Sequence, residues 1–260
     1  MTAAIVIDAL CLPADARVDQ RVSKKLLVEN GAHTATDKRQ INDGIEELLW
    51  LAALKPATIG VPIFRDKTRE YLEIAVLSLT LRPGTKAPRL TKLVHRAIPY
   101  PVFLILSQSS GLVLSLAHLR WSQGQSGQTV LDGPLLTATV DASIPGTNDF
   151  LASLNVTRQP RHNLKALYQG WWECFEAHAV ARLTGKFTPA ADSTAAENRR
   201  LALAEHDYLI REITRLRARA AKETQINRRV DLNGELKRLE ASRAEQTRRI
   251  QPDHPSWTRP

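Results

Sequence analysis

The chain has 260 residues, 43% of them hydrophobic, which is enough for one sizeable core and an appendage, since a single domain usually contains about 100 to 200 residues. Its net charge of +9 at pH 7 favours a polyanionic partner, such as a nucleic-acid backbone, or an acidic protein surface. Its 2 cysteines, Cys11 and Cys174, lie in dissimilar contexts, which excludes a disulfide framework and indicates a reducing compartment.

The N-terminal segment does not predict a membrane anchor or a signal peptide. Its apolar run in residues 1–12 is interrupted by Asp8, is too short to span a bilayer and has no basic flank. We therefore expect a cytoplasmic protein without a membrane partner. Residues 5–12 are interpreted as a short strand or an ordered leading segment that ends at Pro13, and residues 18–28 as a basic helix.

The next predicted elements are a helix and a series of strands. Apolar residues from Ile41 to Ala52 fall at helical spacing, and Pro56 stops this helix. Pro62 limits the first strand candidate to a sheet edge, and residues 107–111 form a polar turn of hairpin length between two later ones. The strand candidates are residues 58–64, 71–81, 102–106, 112–119 and 135–140.

Short turns between consecutive strands predict a mainly antiparallel sheet with helices before and after it. The predicted fold class is therefore α+β and not doubly wound. After the last strand, residues 162–183 are predicted to form a helix with one apolar face. Between two of the strands lies a basic helical segment that ends before Pro99 and contains four cations: Lys86, Arg89, Lys92 and Arg96.

The C-terminal quarter of the chain is rich in Ala, Leu, Glu, Arg and Lys and predicts a long amphipathic helix or a helical hairpin. Residues 222–225 are either a stutter or the turn of that hairpin, because two apolar sets on either side of them repeat in different registers. These sets are Leu209, Ile213, Leu216 and Ala220, followed by Leu232, Leu236 and Leu239.

The predicted organisation has three parts. Residues 1–190 form an α+β body, residues 191–250 form a coiled-coil-like helical arm, and residues 251–260 form a tail. The arm carries much of the positive charge of the chain. Two interpretations of this charge stay open, since it either binds phosphates or an acidic partner or simply faces water. Whether the arm projects or folds back on the body also stays open.

Residues for catalysis or for binding a metal or cofactor do not form a strong motif. The histidines are scattered, and Gly124 and Gly127 lack the lysine and the helix of a phosphate-binding loop. Cys174 and His178 are one helical turn apart, but without a third ligand or an orienting carboxylate they are interpreted as packing residues. No metal and no cofactor are therefore expected, and an enzymatic activity is not predicted.

A metal-dependent nuclease is the alternative class for a basic protein of this composition. Such sites usually combine an acidic residue with a second acidic residue that is followed by a lysine two positions later. The candidates are Glu70, Glu73, Asp132 and Asp141, but Ala75 stands where the lysine after Glu73 is required, and neither aspartate has a lysine partner. The favoured interpretation of Glu70 and Glu73 is surface charge at the start of a strand.

Two adjacent tryptophans, Trp171 and Trp172, lie in the predicted helix of residues 162–183. Neighbouring residues on a helix point about 100° apart, so one of the two can be exposed. An exposed Trp172 would anchor a partner or a nucleobase. The favoured interpretation is that both line one broad buried face.

Four segments resemble a bacterial family catalogued as domain of unknown function 4391. They are Ile-Pro-Tyr-Pro-Val at residues 98–102, Asn-Leu-Lys-Ala-Leu-Tyr at 163–168, Ala-Arg-Leu-Thr-Gly at 181–185 and Gln-Ile-Asn-Arg-Arg-Val-Asp-Leu-Asn at 225–233. The resemblance extends from residue 10 to about residue 239. It implies a role beside DNA methyltransferases and helicases in restriction-like defence clusters, and it supplies no catalytic residues to transfer.

We therefore expect a non-catalytic accessory subunit of a bacterial DNA-modification or phage-defence assembly, with a methyltransferase or helicase subunit as partner. Binding to DNA and homo-oligomer formation through the arm stay open, as does a stand-alone nucleic-acid-binding protein. Asn227 and Asn233 are expected to set register across the interface. The cations expected to contact phosphates or an acidic partner are Arg215, Arg219, Arg228 and Arg229, with Lys86, Arg89, Lys92 and Arg96 in the body.

Overall fold

Residues 1–124, 128–190 and 192–250 are described by the computed structural model of the chain. The chain divides into two compact units, Met1–Phe175 and Glu176–Pro260. The boundary lies inside a helix, earlier in the chain than the predicted start of the arm. The fold class is α+β, as predicted, with a mainly antiparallel sheet in the first unit and long helices in the second.

The first unit alternates short helices with strands. Its helices are α1 (Ala3–Leu10), α2 (Lys24–Gly31), α3 (Ala35–Gly44), α4 (Pro56–Ile59), α5 (Ala87–Ala97), α6 (Thr147–Ser153) and the first part of α7 (Leu164–Thr184). Its strands are β1 (Arg17–Arg21), β2 (Ile45–Leu54), β3 (Phe64–Arg65), β4 (Glu70–Tyr71), β5 (Ile74–Leu81), β6 (Val102–Gln108), β7 (Gly111–Leu116), β8 (Leu119–Trp121), β9 (Thr129–Leu131) and β10 (Leu136–Val140).

The main sheet has six strands in the order β1-β2-β5-β6-β7-β10. Neighbouring strands are antiparallel, except that β5 and β6 are parallel and α5 connects them. The hairpin of β6 and β7 has the predicted polar turn, and Gly111 closes it with a φ of 123°. Two small sheets pair β3 with β4 and β8 with β9.

The predicted helix from Ile41 to Ala52 is wrong after Gly44, where the chain becomes strand β2. This strand pairs with β1 on one side and β5 on the other. After Glu46 and Glu47 its residues are all apolar, and Leu48 is buried, as are Leu51 to Leu54. Such a run has no clear period of 2 or 3.6 residues, so only pairing with neighbouring strands makes it a strand.

Three further local predictions are wrong in whole or in part. Residues 3–10 form helix α1, so the strand alternative is wrong and the ordered leading segment is helical, because Val6 and Leu10 lie one helical turn apart on a buried face. Residues 17–21 form edge strand β1, and the predicted basic helix begins only at Lys24. Residues 56–59 form the short helix α4, which Pro56 begins and Gly60 ends with a φ of 65°.

Helices cover both faces of the sheet. On one face, α2, α3 and α5 contribute Leu27, Ile41 and Leu93 to a cluster that includes Leu77 and Leu104 of the sheet. Successive residues of a strand point to opposite faces, so Phe103 beside Leu104 faces the other way. There its ring meets the α7 rings of Trp171 and Phe175 with centroids 4.9 and 5.9 Å away, which fixes the predicted helix against the sheet.

The second unit contains the end of α7, α8 (Ser193–Lys222) and α9 (Ile226–Ile250). Glu176 accepts a hydrogen bond of 3.0 Å from Nε of Arg200, and Asp192 caps α8 by accepting from the backbone N–H of Ala195. Residues 223–225 join α8 to α9, which pack against each other. The hairpin interpretation is therefore confirmed, and the stutter is wrong.

The first predicted seam forms the buried face of α8. Leu209, Ile213, Leu216 and Ala220 are all buried. The second set on α9 is half-buried: Leu232, Leu236 and Leu239. Among the residues that the structure describes, no helix is both long enough and apolar enough to span a bilayer.

Candidate interaction surface on the helical hairpin

Four cations surround the connection between α8 and α9. Arg219 and Lys222 lie in the last turn of α8, and Arg228 and Arg229 lie in the first turn of α9. All four side chains are exposed. We refer to Arg219, Lys222, Arg228 and Arg229 as the tip cluster.

The tip cluster differs from the arginines just before it in its partners. Arg215 lies 3.6 Å from Glu212, and Arg217 donates a hydrogen bond of 2.5 Å to Glu240 of α9. Within residues 1–124, 128–190 and 192–250, no carboxylate pairs with a side chain of the tip cluster. Its charge is therefore not neutralised by the described part of the chain.

The helix dipole does not explain the two arginines in the first turn of α9. Cations are favourable near the C-terminus of a helix, where Arg219 and Lys222 lie, and unfavourable near the N-terminus. The first turn of α9 contains no acidic residue, although Arg228 and Arg229 lie at this positive end. These two residues therefore cost some helix stability, and such local conflicts are expected at functional positions.

Two exposed apolar side chains lie beside the cations. Ile226 is 68% exposed and Val230 is 62% exposed. They are one turn apart, so they share a face of α9, and that face points about 120° away from the half-buried Leu232 and Leu236. The tip thus combines apolar and cationic surface. The sequence already contained this signal, because both residues fall outside the two seams.

Asn227 and Asn233 are exposed, and their side chains form no hydrogen bond with the part of the chain that the structure describes. Six residues apart on one helix, they point about 120° away from each other. They therefore do not act as caps within the hairpin. Their expected role in setting register stays a prediction.

The four cations in α5 and at its N-cap have different surroundings. Arg89 is held by Asp37 through two hydrogen bonds of 2.8 and 2.7 Å, so its charge is engaged within the first unit. Lys86 and Lys92 are exposed, and Arg96 is half-buried beside a cleft. Only Lys86 and Lys92 of these four cations resemble the tip cluster.

Two of the carboxylates that were considered for a metal-dependent nuclease lie beside arginines. Glu70 pairs with Arg65, and Asp132 accepts a hydrogen bond of 2.7 Å from Nε of Arg69. Burial raises the pKa of Glu73. Outside residues 125–127, 191 and 251–260, no three His, Cys, Asp or Glu side chains are placed to share a metal ion. Cleavage assays with Mg²⁺ or Mn²⁺ on the wild type and Glu73→Ala test this alternative, which stays a prediction.

The remaining sequence candidates are packing residues. The thiol of Cys174 lies 3.7 Å from the backbone oxygen of Ser153, and burial raises its pKa, which disfavours the reactive thiolate. Trp172 is 8% exposed and stacks on His118 with ring centroids 4.6 Å apart. Trp171 is fully buried. The favoured interpretation of both tryptophans is confirmed.

The fold and the tip cluster together define an α+β protein with a basic helical hairpin. The chain belongs to the family described as Domain of unknown function (DUF4391), whose model matches residues 10–242. This confirms the resemblance carried by segments such as residues 225–233. Neither the curated proteins nor the solved structures that were compared with the chain include a significant match.

Proposed function

We propose that this chain is a non-catalytic accessory subunit that binds a protein partner through the hairpin tip. The supporting observation is the tip cluster, which consists of four exposed cations that lack a carboxylate partner within the described residues. Exposed charges of one sign raise the rate of association with an oppositely charged surface. The partner surface is therefore acidic where it meets the tip.

The apolar pair favours a protein partner over nucleic acid alone. Ile226 and Val230 together with the arginines resemble a protein interface, in which an apolar centre is surrounded by charged residues. A phosphate backbone would use the cations but would leave both apolar side chains in water. Contact with DNA is a second use of the same cations, alongside the protein partner.

The assembly that we propose follows from the family resemblance. It is a bacterial DNA-modification or phage-defence complex in the cytoplasm, in which a DNA methyltransferase or helicase subunit is the partner. The first unit serves as a folded platform in this proposal. Arg228, Arg229 and their neighbours lie in the segment of residues 225–233 that carried the resemblance.

Affinity capture of the full chain from its native host, followed by mass spectrometry, tests the proposal. The tip variant neutralises four cations: Arg219→Gln, Lys222→Gln, Arg228→Gln and Arg229→Gln. The matched control neutralises three exposed cations of the same hairpin away from the tip: Arg211→Gln, Lys237→Gln and Arg238→Gln. We expect wild type and control to recover a DNA-modifying enzyme subunit, and the tip variant to lose it.

A second pair of variants separates the apolar contribution. Ile226→Ser with Val230→Ser removes the apolar pair, and Leu201→Ser changes a side chain that is 61% exposed elsewhere on α8. Only the double variant Ile226→Ser with Val230→Ser is expected to weaken capture of the partner. Recovery of the same partner by the tip variant and by the apolar variant would refute the proposal, provided that circular dichroism shows intact helices.

A further inference from the structure

A cleft of about 580 Å³ opens on the first unit. It is lined by residues from the ends of α2 and α5 and from β4, β8 and β9. Its volume lies within the range of small-molecule sites, about 300 to 1,000 Å³. Since every lining residue belongs to the first unit, the cleft is independent of the hairpin and of the function proposed for it.

Two aromatic side chains contribute to the cleft. Tyr100 follows the end of α5, and Trp121 ends β8; both are half-buried, so part of each side chain is accessible. An accessible aromatic face stacks on other planar rings, and it does so with any of the nucleobases. The chemistry that was considered for Trp172 is therefore available at Trp121.

Arg96 provides hydrogen-bond donors that nothing within the described chain uses. It lies on the same helix as Arg89, whose guanidinium is held by Asp37. Arg96 instead lines the cleft, half-buried, and no hydrogen bond or ion pair joins it to residues 1–124, 128–190 or 192–250. A guanidinium that has no partner among the described residues favours a ligand that accepts hydrogen bonds.

Other polar groups of the cleft both donate and accept. Asn30 and Gln128 present side-chain amides, each with a carbonyl oxygen and an NH₂ group. Glu29 and Glu70 add carboxylate acceptors. The lining therefore suits a ligand whose edge alternates donors and acceptors.

The charges around the cleft nearly balance. Besides the two carboxylates, the C-terminal ends of α2 and α5 border it, and a helix C-terminus carries partial negative charge. The carboxylates have basic neighbours, with Glu29 3.8 Å from Lys25 and Glu70 paired with Arg65. The guanidinium of Arg96 opposes the remaining negative groups, and a site whose charges nearly balance favours a neutral, planar ligand over a phosphate.

We propose that this cleft binds an unpaired nucleobase, with any attached phosphate remaining outside. A nucleobase is planar and neutral, and its edge displays both donors and acceptors. Stacking on Trp121 or Tyr100 and hydrogen bonds from Arg96 and Asn30 supply the recognition. The base can come from a free nucleoside or from an unpaired position of a nucleic-acid strand, and both sources present the same chemistry.

Isothermal titration of the full-length protein with adenosine, guanosine, cytidine and thymidine tests the proposal, with inorganic phosphate as competitor. We expect binding that phosphate does not displace and that the 5′-monophosphates do not improve. Trp121→Val and Arg96→Gln should each weaken binding about tenfold or more, as expected for loss of base stacking or of a charged donor. Lys38→Gln, an exposed change on α3 outside the cleft lining, should leave binding unaltered.

A short unpaired oligonucleotide distinguishes the two sources. It is measured in the background of the tip variant, so that the hairpin cations do not contribute. Tighter binding than the nucleosides, with the same sensitivity to Trp121→Val and Arg96→Gln, identifies a nucleic-acid strand, whereas equal binding identifies a free nucleoside. The proposal is overturned if the wild type binds neither ligand, if phosphate competes, or if variants with native circular dichroism bind like the wild type.

Discussion

Arg89 of α5 and Asp37 of α3 form a two-point ion pair in which Nε and Nη2 donate to Oδ1 and Oδ2 at 2.8 and 2.7 Å. The side chain of Asp37 is 3% exposed and that of Arg89 is 42% exposed. The arginine therefore covers the carboxylate and joins the two helices. A basic residue that resembles a nucleic-acid contact in the sequence thus has a structural role.

Loss of this ion pair should destabilise the first unit. Arg89→Gln leaves the buried carboxylate without its charged donors, and we expect the free energy of unfolding to fall by about 2 kcal/mol. Lys92→Gln, one turn away and exposed, should change it by less than about 0.5 kcal/mol. Urea denaturation followed by tryptophan fluorescence measures both. Equal stability of the two variants would contradict the prediction.

The same pair gives a pH dependence with a defined sign. The hydrogen bonds from Arg89 lower the pKa of Asp37 below its ordinary value. A carboxyl whose pKa is lowered by folding gives its full stabilisation at pH values above its pKa in the unfolded chain, about 3.9. This stabilisation is lost as the pH falls through its pKa in the folded chain. The difference between wild type and Arg89→Gln should therefore stay constant from about pH 7 to 5 and shrink below about pH 4.

A buried histidine should make the first unit sensitive to milder acid. His95 is 1% exposed, its Nε2 lies 3.0 Å from Oγ of Ser115, and burial lowers its pKa to about 3. Below the ordinary pKa of about 6.5 the unfolded chain takes up a proton that the folded chain does not bind, so stability falls with pH. This loss reaches about 2 kcal/mol at pH 5.

His95→Gln, which keeps a hydrogen-bonding side chain beside Ser115, should remove that part of the pH dependence. Urea denaturation at pH 7, 6 and 5 compares it with the wild type and with His162→Gln, a change at an exposed position. A wild-type slope that persists in His95→Gln would show that other groups cause it. The wild-type value at pH 7 serves as the reference for all three proteins.

Two glycines in helices should respond to alanine in opposite directions. A Cβ on Gly31 of α2 would lie 2.9 Å from the backbone oxygen of Leu93, so Gly31→Ala should separate α2 from α5 and cost about 1 to 3 kcal/mol. Around Gly234 of α9 the described chain leaves open space, so Gly234→Ala should stabilise the hairpin by up to about 1 kcal/mol. Thermal unfolding by circular dichroism tests both; destabilisation by Gly234→Ala would contradict the second.

The tip cluster predicts how salt affects any contact with DNA. Each phosphate neutralised in duplex DNA contributes about −0.9 to the slope of log K against log salt concentration. If the four cations contact phosphates, the tip variant should reduce the slope by about 3 to 4. Fluorescence anisotropy with labelled duplex DNA at several salt concentrations measures it. The control variant should retain the wild-type slope. Equal slopes for the tip variant and the control variant would place the DNA contact outside the tip cluster.

Elements with clear local periodicity were predictable from the sequence. The seam of Leu209, Ile213, Leu216 and Ala220 is buried as its spacing indicated. The hairpin of β6 and β7 is found where a polar turn separates two apolar runs. Strand β2 was not predictable, because a continuous apolar run fits a buried helix as well as a central strand until its neighbours are known.

The candidate sites divide in the same way. The tip cluster lies on consecutive turns around one short connection, so sequence spacing alone places its cations together, and the structure adds that they lack partners among the described residues. The cleft brings together residues from Glu29 to Thr129, which local spacing does not relate. Composition and periodicity act over a few residues and therefore define the C-terminal helical segment, its seam and its charge, whereas the contacts between α8 and α9 decide that it is a hairpin. Which arginine is held by a carboxylate and which faces a cleft depends on contacts between distant segments, such as Arg89 and Asp37, 52 residues apart, and only folding establishes those contacts.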